Sequence, residues 1–190
     1  MPLASAPLEA ALSANFPGAL PLADFAPWTV RALEPHGITP GHSLSLFGVC
    51  RDELLFPFED AWQQAWGPAF DMTSLGGMLL LGRTGLTAAL HHAPGVDGRL
   101  RYVVVAMPHI GITADGAVGA VLRPGQTADL LTAGRELEAA AACDIALFSG
   151  IVVHASDVAG PAEDGAVYDY VAVHRGMLVI DGVPHDLPVP

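Results

Sequence analysis

One stretch constrains this chain more than any other: Leu100 to Met107, read as LRYVVVAM, an apolar and β-branched run with only Arg101 breaking it. A strand exposed on one face would alternate apolar and polar residues, so a run this continuous predicts a central strand covered on both sides. Covering both sides takes helices. Ser43 to Val49 alternates before turning fully apolar, which predicts a second strand entering the same core. Helix-forming stretches fall between and around these strands. Leu8 to Leu12 and Asp24 to Leu33 predict two short N-terminal helices divided by prolines, within a helical segment over residues 1–40 that packs on the rest. Asp52 to Trp66 predicts a helix despite Pro57, and Gln126 to Cys143 the best helix of all. The expected fold class is therefore α/β, a single domain over residues 1–190 with a mixed β-sheet flanked by helices.

The remaining segments read as connections and edges. Four glycines in Ser74 to Leu86 predict a tight turn, a short buried strand and another turn, and His91 to Gly98 predicts a loop. Val167 to Val173 and Met177 to Ile180 predict a terminal hairpin joined through His174, Arg175 and Gly176.

Charge narrows the partners. Eight basic residues, all arginine, against 20 acidic ones give a formal charge of −12. Such a surface repels phosphate backbones and anionic lipid heads, which argues against nucleic acid and membrane partners. The apolar runs YVVVAM and IALFSGIVV are far shorter than the ~20 residues of a membrane helix. The N-terminus lacks the basic start of a signal peptide and meets Glu9 early, so a cytoplasmic location is expected. Two cysteines in such a chain predict free thiols or metal ligands rather than a structural disulfide.

Chemistry-bearing residues sit at predicted element ends. Cys50 follows the Ser43–Val49 strand, His109 follows the Leu100–Met107 strand, and Cys143 closes the predicted long helix. In open α/β sheets, ligands gather at the carboxyl ends of strands. If the three converge, two thiolates and an imidazole suit zinc, with three protein ligands leaving a tetrahedral position open for water. Asp52 then has two readings, as the fourth ligand or as a carboxylate beside a metal-bound water. Each residue alone also has a plain structural reading, since buried cysteines and lone histidines are mostly core.

Several short motifs occur in a fixed order: Cys50-Arg51-Asp52-Glu53, Ser74-Leu75-Gly76-Gly77, Gly82-Arg83-Thr84-Gly85, His91-His92-Ala93-Pro94, Pro108-His109-Ile110-Gly111, and Cys143. Together, over about Ser43 to Gly182, they make the chain resemble the limiting-CO2-inducible protein B and C family, a branch related to the β-class carbonic anhydrases and sometimes called θ-type. The resemblance implies a β-carbonic-anhydrase-like fold and one zinc per chain held by Cys50, His109 and Cys143. It also implies reversible hydration of CO2 to bicarbonate by zinc-bound hydroxide, with Asp52 as the carboxylate of an Asp-Arg dyad, in a homodimer. The β-class pattern places the dyad arginine where this chain has Leu54. Arg51 or Arg83 is left to take that role, with His91 or His92 as a proton shuttle. His154, His174 and His185 sit in no motif and read as structural. Two rival functions follow from the same residues: a catalytically silent structural or interaction subunit, and a zinc hydrolase using the same water.

Overall fold

The computed structural model describes residues 6–51, 53–74, 83–119, 143–156 and 167–190, without the side chains of 53, 83, 86 and 167. Its centre is β5 (Arg99–Met107), the run from which the sheet was expected. On one side β5 pairs in parallel with β2 (Leu44–Val49), which pairs in parallel with β3 (Ala69–Asp71). On the other side lies β7 (Cys143–Ser156), also parallel, followed by the antiparallel β8 (Val167–Ile180) and β1 (Leu20–Pro21). Short strands extend the sheet: β4 (Gly95–Val96) along β5, β6 (His109–Ile112) along β7 and β9 (Val183–Leu187) along β8. This is a mixed α/β sheet flanked by helices in a single domain, as the sequence predicts.

The two-residue period of β5 divides the core. Val103, Val105 and Met107 face one side, where α2 (Leu22–Leu33) and α3 (Phe56–Trp66) bring Phe25, Phe58, Trp62 and Trp66. Tyr102, Val104 and Ala106 face the other, where α4 (Arg83–His92) brings Ala89. Towards the far end of β7, α1 (Ala6–Asn15) covers Ile110, Ile112 and Val153 with Leu8 and Leu12. Among the described residues no helix is long and apolar enough to cross a membrane.

Local expectations differ from the structure in informative places. Pro27 does not divide α2, because burying Phe25, Ala26 and Leu33 outweighs the one hydrogen bond proline forfeits. Pro57 sits in the first turn of α3, where a missing N–H costs nothing. Of Ser74 to Leu86, residues 75–82 lie outside the described ones, and the chain is helical from Arg83. His91 and His92 form the last turn of that helix rather than a loop. The two-residue turn that follows, Asp97 and Gly98 with φ of 53° and 75°, closes the β4–β5 hairpin, an Asp-Gly signal within the predicted loop. His174, Arg175 and Gly176 do not turn the chain. β8 runs through them as one strand along β7 with a bulge opposite Ser149 and Gly150, and the hairpin turn is Asp181-Gly182, leading into β9. The long helix expected from Gln126 lies outside the described residues, except for Cys143, which opens β7 instead of ending a helix.

Tyr102 offers a solution check of this core. Burial pushes its phenol up to about 12, with the Cys143 thiol's charge as a smaller cause. Because the folded value lies above the unfolded ~10, the neutral phenol's contribution is intact below pH 10 and is lost as pH rises towards 12, about 2–3 kcal/mol in all. Alkaline titration should show a phenolate absorbance step near pH 12 accompanying unfolding, and Tyr102→Phe should remove it. A Tyr102 that ionises near pH 10 in the folded protein contradicts the packing.

Candidate metal centre

Cys50 is the first residue past β2 and is held there by backbone. Arg51 N–H donates to the Ser74 carbonyl at 2.9 Å, and Ser74 N–H to the Val49 carbonyl at 3.1 Å, so residues 72–74 prolong the parallel ladder up to the cysteine. The thiol is half-buried against the helix-covered face. It borders a cleft of about 290 Å³ with Arg51, Leu55, Phe56, Glu59, Asp71 and Thr73. The cleft's charged groups are of both signs, and Asp71 is tied down by accepting a 2.7 Å hydrogen bond from Thr73 N–H.

His109 lies two residues past the carboxyl end of β5, where it opens β6. Val49 is level with Met107, so Cys50 and His109 emerge at the same end of the sheet from neighbouring strands. This is the strand-end position that the sequence anticipates for both.

Cys143 is not there. It is paired with Leu100 at the amino end of β5, seven residues from Met107, or about 23 Å at ~3.3 Å per residue. In this structure Cys143 thus stands at the opposite end of the sheet from Cys50 and His109, where the sequence expects the three together. The reason is the direction of β7: a parallel strand that opens on Cys143 carries it to the opposite end from the one where β2 and β5 finish. Its surroundings are structural. The Arg99 guanidinium donates to Asp144 Oδ1 at 2.6 Å and pairs with Asp181 at 2.6 Å, and that bond to Asp144 is the main cause holding Arg99's pKa above its ordinary value. With only two cysteines in the chain, a Cys-His-Cys centre does not fit one subunit of this structure.

Asp52 lies outside the described residues, and of Arg83 only the backbone is described. Arg51 is exposed on the cleft wall. His91 and His92 are exposed at the end of α4, which packs on the face opposite Cys50, and the chain then enters β4 beside the first residues of β5. Among the described residues no three His, Cys, Asp or Glu side chains already stand grouped as a metal site.

Sequence reasoning also missed a neighbour of His109. The ring of His154 lies 5.3 Å from that of His109, centroid to centroid, and its Nδ1–H donates to Asp169 Oδ1 at 2.6 Å. His154 is almost fully buried. A histidine in the middle of an apolar strand, IVVHAS, was the available signal.

Comparison with known proteins agrees with this architecture. The chain resembles the crystal structure of PtLCIB4, a homolog of the limiting CO2-inducible protein LCIB, with a TM-score of 0.69 and 20% identity over 94% of this chain and 99% of that one. The crystal structure of LCIB itself gives a TM-score of 0.66 and 21% identity over 94% and 98%. At these identities the likeness is one of fold. No curated protein matches. The sequence pattern of the limiting CO2-inducible proteins B/C beta carbonic anhydrases matches residues 19–144, most of the chain and the part that carries Cys50, His109 and Cys143, and the chain belongs to that family.

Proposed function

We propose that this chain catalyses the reversible hydration of CO2 to bicarbonate with zinc, at the carboxyl end of the sheet around Cys50 and His109. The observation that carries the reading is the emergence of these two residues side by side from parallel strands, beside a small cleft, in a carbonic anhydrase family member. A thiolate and an imidazole are donors that zinc prefers. Zinc held there supplies the acidity that makes water a nucleophile near neutral pH.

The chain's own residues would do the rest. The ladder through Ser74 keeps the Cys50 backbone from shifting, so a metal bound to it would stay in register with the cleft. Leu55 and Phe56 give that cleft an apolar wall suited to CO2. Asp52, two residues after Cys50, is the proposed acceptor that aims the attacking water. Arg51 is proposed to steady that carboxylate in place of the arginine that the β-class pattern puts where Leu54 stands. A homodimer belongs to the same reading, with Leu54 and Phe56, exposed beside the cleft, as apolar side chains a second copy would cover.

Stopped-flow CO2 hydration tests this. Zinc-equilibrated protein should exceed its Cys50→Ser and His109→Ala variants by ~100-fold or more, the scale on which essential catalytic groups act. Equal rates for all three reject the enzyme. That outcome favours the second reading, a catalytically silent carbonic-anhydrase-like subunit, which is motivated by Leu54 at the arginine position and by the remoteness of Cys143.

A further inference from the structure

His154 and Asp169 form a buried pair beside His109 that the reading above does not use. They stand directly across from each other on β7 and β8, and His154 Nδ1–H donates to Asp169 Oδ1 at 2.6 Å. The two side chains are only 6% and 11% exposed. A carboxylate on Nδ1 keeps the proton there, so Nε2 presents a lone pair. That nitrogen is buried with no hydrogen-bond partner among the described residues. A buried acceptor left unpaired is costly, so a donor close by has a reason to meet it.

His109 is placed to be that donor. Its ring lies 5.3 Å from the ring of His154, centroid to centroid, with the planes at 63°, and its Nδ1 is buried. Two imidazoles joined by an N–H···N bond of ~2.9 Å have centroids about 5 Å apart, so the spacing suits one. Both rings lie on the same face of the sheet, since His109 is paired with Val152 and His154 is two residues further along β7. Cys50 is placed differently. By register it is about two strand spacings and three residues from His154, roughly 14 Å, which is too far for the two to share one ion. The β5–β6 line, which carries His109, runs between β2 with Cys50 and β7 with His154, so His154 stands behind His109 as seen from the thiol.

We propose that His154, held by Asp169, accepts a hydrogen bond from His109 Nδ1–H and is the positioning residue of His109. The bond fixes the direction and the tautomer of the His109 ring, leaving the Nε2 lone pair for the side of Cys50 and the cleft. An imidazole binds a metal in this form, and partners on its far nitrogen set its orientation and basicity. The bearing on catalysis rests on reading His109 as a zinc ligand, whereas the bond itself does not. Asp169 acts one step further out. Without it the His154 proton is free to move to Nε2, which turns the acceptor into a second donor and breaks the chain.

Imidazole proton–nitrogen correlation spectra of the zinc-equilibrated, nitrogen-15-labelled protein at about pH 8, above the ordinary histidine pKa, read the proton positions directly. CO2 hydration is measured on the same samples, and circular dichroism shows whether each variant is folded. Wild type should carry the proton on Nδ1 in both His109 and His154. In His154→Phe, which keeps a flat ring but no acceptor, His109 should lose its fixed Nδ1 proton and kcat should fall 10–100-fold, the range found for groups that orient a ligand. His154→Gln puts an acceptor oxygen near the place of Nε2, so it should restore the Nδ1 proton of His109 and a kcat well above that of His154→Phe. A purely structural role predicts the reverse order, because Phe preserves the packing better than Gln. Should His154→Phe not fold, Asp169→Leu carries the test, with the same change expected at His109. A wild-type His109 protonated on Nε2, or an Nδ1 proton that persists in folded His154→Phe or Asp169→Leu, overturns the proposal. So does an unchanged kcat in folded His154→Phe when the wild type is active. If the protons sit as expected while wild type hydrates CO2 no faster than Cys50→Ser, the hydration reading fails and the bond from His109 to His154 stands.

Discussion

Gly150→Ala should destabilise the fold by about 3 kcal/mol or more, a large effect for one methyl group. Gly150 lies in the middle of β7, opposite the point where the pairing with β8 shifts register. A Cβ built there overlaps the carbonyl oxygen of Ala172 and lies 3.1 Å from the Cα of Val173. Both are backbone atoms of the neighbouring strand, so no side-chain rotation relieves the clash and two central strands must separate. Urea unfolding should show a lower midpoint at an unchanged slope, and the melting temperature should fall by about 2–4 °C per kcal/mol for a chain of this size. Gly95→Ala is the matched control. Gly95 is exposed on β4 with open space where a Cβ would go, and its substitution should change stability by no more than ~0.5 kcal/mol. Equal effects at the two glycines would contradict the described β7–β8 register.

Trp62→Ala should cost about 3–5 kcal/mol, the range for deleting a large buried aromatic side chain. Trp62 is fully buried at the centre of α3. Its ring lies 6.0 Å from Phe25 on α2, 6.3 Å from Phe47 on β2 and 5.7 Å from Trp66, so one side chain joins two helices to the sheet. The cost should come from packing alone, because Trp62 Nε1 has no hydrogen-bond partner among the described residues. Trp62→Phe separates the two contributions. It gives up part of the ring volume but also removes an unsatisfied buried donor, a group that costs about 1–3 kcal/mol, so its net loss should stay below ~1.5 kcal/mol. Trp66 is the contrasting case, since its Nε1–H donates to Thr29 Oγ1 at 2.9 Å. There the same Phe replacement orphans no donor but leaves the Thr29 oxygen short of one, and it should cost more than at 62. Denaturant titrations of both Phe variants decide this, and an equal or reversed order would contradict the hydrogen-bond assignment.

The elements read most reliably from sequence are those whose signal is periodic and local. The continuous apolar run at Tyr102 to Met107 required two covering layers, and the stretch Asp52 to Trp66 read as a helix, whose buried face the structure shows to be Phe58, Trp62 and Trp66. Cys50 and His109 were legible as strand-end residues for the same reason. Errors arose where a local signal had a tertiary competitor. His174, Arg175 and Gly176 resemble a turn, but Arg175 and Gly176 pair with β7, and Gly176 also with β9, so the chain runs on as one strand with His174 in the bulge. Asp181-Gly182 supplies the turn, with φ of 50° and 76°. The buried His154–Asp169 pair was not legible because its two members are contributed by different strands.

By itself, then, the amino-acid sequence determined the α/β class, the two-sided sheet, the family, and the strand-end setting of one thiol and one imidazole. Those follow from hydrophobic periodicity and from short ordered motifs, both of which are written along the chain. Which side chains stand near His109 was decided only in three dimensions. Parallel pairing sets the direction of β7, and with it sends Cys143 to the amino end of the sheet while bringing His154, and Asp169 across from it, up beside His109. A one-dimensional reading carries the order of residues but not the sense in which a strand enters a sheet, and a reversal of that sense moves a side chain by the full length of the strand.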